Sequence, residues 1–297
     1  MPARPFVDQA VGDVDAARVL AERVARSLAL PRPVLLRVGM NALFRAGGVV
    51  VRVGRPSAPP RLAIDLADHL RDRGISAPRP AASEVFIEGE LTATCWVLLV
   101  DNGDPIDWRT VGAIVRRVHA LTPGDLPDGY PTPPPTAFPW WDFETLMADV
   151  GGEIDARARA GLEKSIARNA AWSRLDGDHV VCHGDLHPGN VVMAADGPVL
   201  IDWDLMCIAP AGWDHAMLLT LAERWGGDPS AYPAFAAGYG VSMADDVTTQ
   251  RFAELRNVAA TLMRVRAGRT DPAARTEAER RLRFWRGEQA APTWHSQ

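Results

Sequence analysis

The sequence predicts an α+β fold in two lobes, a small strand-rich lobe followed by a larger helical one. Three observations carry this. Short β-like runs crowd the first hundred of the 297 residues, whereas helical spacing dominates from Asp107 onward. The helical part is interrupted between His183 and Asp204 by a polar loop and a hairpin pattern. The length and an ordinary composition, 47% apolar and 23% charged, allow each lobe its own core.

The elements follow in order. Apolar residues at helical spacing (Val14, Ala17, Leu20, Ala21, Val24, Leu28) predict a helix over 13–30, with Asp13 as N-cap and Pro31 and Pro33 as the stop. Three β-like runs follow at 34–38, 42–45 and 49–53; Gly39 separates the first two, and Gly47-Gly48 turns the last two. Helical spacing returns over 61–73, closed by Gly74, and two strands follow around 84–88 and 92–100 with Gly89 between them. Asp101-Asn102-Gly103 marks the boundary, giving lobes 1–100 and 101–297. The second lobe opens with a helix over 107–121. Residues 122–139 hold seven prolines and read as a long surface loop. Helices are expected near 141–150 and 156–175, then a hairpin of 190–193 against 199–201 turned by Asp196-Gly197. From Trp213 through Trp285 the pattern is helical, with loops at 226–229 and 270–272.

Several function classes are excluded by composition. A net charge of −5 gives no whole-protein attraction to nucleic acid or an anionic membrane. The apolar run 95–100 is too short to span a bilayer, and residues 1–13 lack the apolar core of a signal peptide. Cys95, Cys182 and Cys207 have no metal-ligand spacing and fit reduced thiols, so a soluble cytoplasmic protein is expected. Lys164 is the only lysine among 32 basic residues, and Glu163 stands where a Walker-A loop needs glycine. A phosphate-pairing cation in the first lobe must therefore be Arg or His.

The chemistry is concentrated in His183-Gly184-Asp185-Leu186-His187-Pro188-Gly189-Asn190 and Ile201-Asp202-Trp203-Asp204. Phosphoryl transfer needs an aligned nucleophile and neutralised charge, and little covalent help. Asp185 is placed to take or orient the proton of an attacking hydroxyl. Asn190 and Asp202 offer hard oxygen ligands for Mg²⁺, and the hairpin brings them together. His183 holds the loop by hydrogen bonds. Turn formation alone accounts for Asp, Pro, Gly and Asn, but requires neither His183 nor Leu186 nor a second Asp after an apolar strand.

At these residues the chain resembles the aminoglycoside phosphotransferase/choline kinase family, whose loop reads close to H-G-D-L-H-P-G-N followed by I-D-W or I-D-F. The resemblance runs along nearly the whole chain and includes Val118-His119-Ala120-Leu121. It implies a bilobal protein-kinase-like fold with ATP (GTP possible) and Mg²⁺ in the cleft. It also implies transfer of the γ-phosphate to a hydroxyl of a small molecule, an aminoglycoside, amino alcohol, sugar or amino sugar. By residue match, Asp185 is then the catalytic base, Asn190 and Asp202 are metal ligands, and Asp214 is the structural Asp behind the loop.

The first lobe departs from that family. Arg52 stands where the family usually has a strand Lys; it keeps the charge and grips phosphate with a fork. The following helix offers Asp65 and Asp68 but no Glu, and Asp65 is the expected partner of Arg52. Gly39-Met40-Asn41-Ala42 sits at the phosphate-covering turn, so Gly39 and Asn41 are expected near phosphate, although an ordinary hairpin turn fits the same residues. In Leu98-Leu99-Val100 the backbone of Leu98 and Val100 is expected to read the base. Trp140, Trp141, Asp142, Glu144, Trp213 and Trp225 are candidates for the acceptor site, though such residues are more often core or solvated face. Two other functions compete: a metal-dependent hydrolase using His183, Asp185 and His187, and a nucleotide-binding protein without catalysis, suggested by Arg52 and the missing Glu.

Overall fold

The computed structural model describes residues 7–56 and 58–295. The first lobe runs β1 (Val7–Gln9), α1 (Val14–Ser27), β2 (Val34–Val38), β3 (Ala42–Ala46), β4 (Val49–Pro56), α2 (Arg61–Asp72), β5 (Phe86–Glu88) and β6 (Leu91–Val97). Its antiparallel sheet has the order β2-β3-β4-β6-β5, with β1 added against β4. Asp13 caps α1 by accepting from the N–H groups of Asp15 (2.9 Å) and Ala16 (3.0 Å). The apolar stripe Ala17, Leu20, Ala21, Val24 then packs on the inner sheet face, against Ala42, Phe44, Val51 and Val53. The order expected from the sequence holds, with one addition. Three residues are too few to show an alternation, and β1 was not anticipated.

The second lobe comprises α3 (Trp108–His119), α4 (Phe143–Val150), α5 (Ala156–Arg168), β7 (His179–Cys182), β8 (Val191–Ala194), β9 (Gly197–Leu200), β10 (Cys207–Pro210), α6 (Gly212–Trp225), α7 (Ala231–Tyr239), α8 (Val247–Ala267) and α9 (Pro272–Trp285). The hairpin β8–β9 forms as expected, turned at Gly197 with φ +108°. The antiparallel pair β7–β10, with Cys182 opposite Cys207, was not expected. Its strands are four residues each and meet only across the chain between 182 and 207, so no local pattern marks them. Helix α5 stops at Arg168 rather than near 175: a 3₁₀ turn (Ala170–Arg174) follows, and Leu175 takes a left-handed φ of 51°. The proline-rich connection is irregular apart from three single 3₁₀ turns, Pro123–Asp125, Pro135–Ala137 and Pro139–Trp141.

Buried apolar side chains form three clusters. One lies between α1 and the sheet, and one between α4, α5, α8 and α9. The third ties the lobes together: Leu66 and Leu70 of α2 pack with Val111, Val115 and Val118 of α3, and with Leu186, Leu200 and Trp203. Each such fully buried Leu or Val contributes roughly 1.5–3 kcal/mol, so α2 is anchored to the second lobe. The connection at 101–104 is closed by two Asx turns, Gly103 N–H to Asp101 and Asp104 N–H to Asn102, both 2.9 Å. Asn102 also donates from its backbone to Met193 of β8. Among the described residues no helix is long and apolar enough to cross a membrane.

Candidate active site

β7 delivers the chain into the loop 183–190, and α6 fixes the loop from behind. The Asp214 carboxylate, at the start of α6, accepts from the N–H groups of His183 (2.7 Å) and Gly184 (2.9 Å) and bonds His119 Nε2 at 3.0 Å. Burial opposes its charge, yet these donors hold its pKa below the usual carboxylate range. His183 spends both ring nitrogens on the scaffold. Its Nε2 donates to the Ile201 carbonyl (3.0 Å), and its Nδ1 accepts from the Asp185 N–H (3.3 Å). It is therefore a neutral strut between the loop and the residue before Asp202, and burial lowers its pKa accordingly. The hydrolase reading fails at this point, because His183 has no nitrogen left for a metal.

Gly184 turns the loop with φ +91°, and a Cβ there would stand 1.7 Å from the Leu205 carbonyl oxygen. Gly184→Ala adds backbone strain to this overlap and is expected to destabilise the protein by about 3 kcal/mol or more. Thermal unfolding within about 2 °C of the parent protein would contradict that expectation.

Asp185 lies beyond this turn with its side chain partly exposed. Asn190 Nδ2 donates to its backbone oxygen (2.9 Å) and to Oδ2 (3.3 Å), while His187 Nε2 is 3.5 Å from Oδ2. Arg256 Nη1 lies 3.4 Å from Oδ1. Crowding disfavours the charge, but His187, Arg256 and His183 outweigh it and keep the carboxyl well below the ordinary range. Asp185 is ionised at any physiological pH.

A cavity of about 400 Å³ lies between the lobes, and Asn190, Asp202 and Asp204 all line it together with Arg52, Asn41 and Arg37. Asp202, two residues past β9, has a left-handed backbone, φ 63° and ψ 64°, a conformation that costs a non-glycine residue about 1–3 kcal/mol. Its surface is open to the cleft, yet crowding by the cleft walls, with Asp204 and Asp185 adding like charge, raises its pKa to about 6 against the opposing pull of Arg52 and Arg37. The Asp202 carboxylate and the Asn190 amide oxygen, both lining this cavity, are donors suited to a hard divalent cation.

Arg52, at the middle of β4, faces this cavity. Its guanidinium forms a two-pronged contact with Asp204, Nη1 to Oδ1 at 3.1 Å and Nη2 to Oδ2. With its amide oxygen turned inward, Asn41 accepts from Arg52 Nη2 (2.7 Å) and Nε (3.2 Å). Burial disfavours the charge on Arg52, but Asp204 and Asp202 more than compensate and raise its pKa. The expected partner is thereby corrected. Asp65 instead bonds Arg61 Nε one helical turn earlier, at 2.7 Å, so a local partner takes it before β4 can.

The other first-lobe expectations fare unevenly. The N–H of Gly39 is bound to the Asn41 carbonyl (2.9 Å), and the space where its Cβ would lie is open, so Gly39 makes a hairpin turn rather than a close backbone approach. β6 ends at Val97. Leu98 lines the cavity, but its N–H is taken by the Gly48 carbonyl, leaving only its C=O for a base; Val100 is 69% exposed and outside the lining. Trp141 and Trp213 are core residues, and Asp142 caps α4 by accepting from Thr145 N–H at 3.0 Å. Trp140 stacks on Phe138, ring centres 5.4 Å apart. These four acceptor candidates are thus structural, and Glu144 lies exposed on α4. Arg256 was missed; its sequence signal is a charge on the Phe252–Leu255–Ala259 face of an otherwise apolar helix stripe.

Residues 41–256 match the profile of the APH phosphotransferase enzyme family. The chain belongs to this family. As a family member it is a small-molecule phosphotransferase with the kinase-like α+β fold. A sequence search of curated proteins returned no match. Solved structures of similar fold include spectinomycin phosphotransferase APH(9)-Ia with ADP and spectinomycin (TM-score 0.66, 14% identity, 91% of this chain and 94% of that one). Amicoumacin kinase hAmiN, in complex with AMP-PNP, Ca²⁺ and its antibiotic, superposes with a TM-score of 0.68 at 15% identity over 95% of this chain and 98% of that one. Macrolide 2′-phosphotransferase MphH from Brachybacterium faecium gives 0.57 at 18% identity over 88% and 97%. At these identities the likeness speaks for the fold of this APH-family chain.

Proposed function

We propose that this protein transfers the γ-phosphoryl group of ATP to a hydroxyl of a small, antibiotic-like molecule in the cytoplasm. The observation that carries the reading is that Asn190, which donates to Asp185 within the loop, and Asp202, from beyond the hairpin, line one cavity together. In this reading Asp185 orients the hydroxyl and receives its proton, while Asn190 and Asp202 would hold Mg²⁺. When bound, Mg²⁺ would neutralise phosphate charge. Arg52 supplies the fixed cation that the family's lysine usually supplies, with Asn41 steadying its guanidinium. Leu98 lines the same cavity, and its C=O is the backbone group we assign to the base, since its N–H is taken by Gly48. Spectinomycin, amicoumacin and macrolide kinases with this fold argue for an antibiotic hydroxyl as acceptor, and a relative solved with GDP keeps GTP open as donor. The test is ADP release from MgATP with a panel of aminoglycosides, macrolides, amino alcohols, sugars and amino sugars. Acceptor-dependent release supports the reading; nucleotide binding with no transfer to any acceptor favours a silent binder.

A pH dependence follows for the metal. Asp202 has a pKa raised to about 6, so it is protonated below that value and must lose the proton to ligate a cation. Mg²⁺ affinity is therefore expected to fall roughly tenfold per pH unit below 6 and to flatten above 7. Calorimetry of Mg²⁺-ADP binding between pH 5 and 8 checks this; a flat profile would remove Asp202 from the ligand set.

A further inference from the structure

Arg256 lies near the middle of α8, 71 residues from Asp185. Its Nη2 donates to the Gly184 carbonyl at 2.7 Å, and its Nη1 reaches Asp185 Oδ1 at 3.4 Å. The Trp213 ring lies 5.3 Å from its guanidinium carbon, and Trp213 Nε1 donates to the same Gly184 carbonyl at 2.9 Å. The Arg256 side chain is 13% exposed, and its Nε is buried with no hydrogen-bond partner. A packing role explains none of this. Met would fill the space beside Trp213 without a buried charge or an unsatisfied donor.

We propose that Arg256 is the positioning residue for Asp185, a role that rests on the phosphotransfer reading above. The carboxylate is held from two sides. Asn190 and His187 take Oδ2 from within the loop, and Arg256 takes Oδ1 from a different element. Contacts to both oxygens stop rotation of the carboxylate, so the lone pair offered to an acceptor hydroxyl points in one direction. The fork also spans two consecutive loop residues, Gly184 and Asp185, so α8 sets where the base stands. Misplacing a reacting group by a fraction of an ångström costs rate while leaving nucleotide binding intact. Arg256 therefore acts on kcat and not on the nucleotide site.

The test compares the parent protein, Arg256→Met, Arg256→Lys and Asp185→Asn, the last with and without Arg256→Met. Each is read by calorimetry with Mg²⁺-ADP and by steady-state kinetics with the best acceptor of the panel. Arg256→Met is expected to lower kcat roughly 10- to 100-fold, with the Kd for Mg²⁺-ADP and the KM for ATP within about threefold of the parent. Arg256→Lys, which keeps the charge but lacks the fork, is expected to recover part of the rate and to give the answer should Arg256→Met fail to fold. In the Asp185→Asn background, Arg256→Met is expected to add less than about twofold, because the group it positions is already gone. An unchanged kcat, or the same loss in both backgrounds, would overturn the positioning role while leaving the phosphotransferase intact. A parent that binds Mg²⁺-ADP but transfers to no acceptor would overturn both.

Discussion

Asp185→Asn is expected to lower kcat at least about 100-fold, equivalent to about 2.7 kcal/mol of transition-state stabilisation, with nucleotide affinity little changed. The amide has the size of the carboxylate, so the loop keeps its shape. Gly184 is still pinned by Asp214 and Trp213, and Asn190 still donates to the backbone oxygen of residue 185. What is lost is the charge that Arg256, His187 and His183 stabilise together, and with it a base that is ionised throughout the physiological range. Because those contacts favour the ionised form, the substitution also removes some stability, expected as a fall of a few degrees in Tm. The measurement is kcat with the best acceptor, alongside calorimetry with Mg²⁺-ADP. A rate within twofold of the parent would show that Asp185 is not the base.

Arg52→Ala is expected to weaken ATP binding roughly 10- to 100-fold and adenosine binding less than about threefold, since only ATP presents phosphate charge to this fixed cation. Arg52→Lys should recover part of the ATP affinity. The structure adds a second consequence. Asp204 is 10% exposed and has Arg52 as its counter-charge, so removing the guanidinium strands a nearly buried carboxylate beside Asp202. Breaking such a pair costs up to about 3–5 kcal/mol, so the Ala variant is expected to melt well below the parent and the Lys variant close to it. Isothermal titration with ATP and with adenosine, and thermal unfolding of both variants, make the test. Equal losses for the two ligands would mean that Arg52 holds the lobes together without touching phosphate.

The loop residues were legible in the sequence because their geometry is local. His183, Asp185, Asn190 and Asp202 fall within twenty residues, and the hairpin β8–β9 that joins them announces itself by an Asp-Gly turn between apolar runs. Most helices were legible for the same reason, down to the Asp13 cap of α1, but the end of α5 at Arg168 and the break at 240–246 between α7 and α8 were not. Failures came where a partner is remote in the chain. Arg52 meets Asp204 across 152 positions, and nothing near either residue hints at the other. Asp65 looked available because helical spacing shows which residues share a face, not which of them Arg61 has already claimed. The tryptophans misled in a second way. A Trp beside acidic residues reads as a binding surface until tertiary packing places Trp141 against Trp213, ring centres 4.4 Å apart, inside the core.

The arginine in the cleft alters how this enzyme would show itself in a chemical survey. Acyl-phosphate nucleotide probes find kinases by acylating the amine that sits beside the phosphates. Here the cleft offers a guanidinium, which does not acylate under those conditions, and the single amine-bearing side chain, Lys164, is exposed on α5 outside the cavity lining. A proteome labelled in that way would leave the proposed nucleotide site unmarked. Dicarbonyl reagents that modify guanidinium groups are the reagents matched to it, and protection of Arg52 from them by Mg²⁺-ATP would read occupancy of the cleft without knowledge of the acceptor.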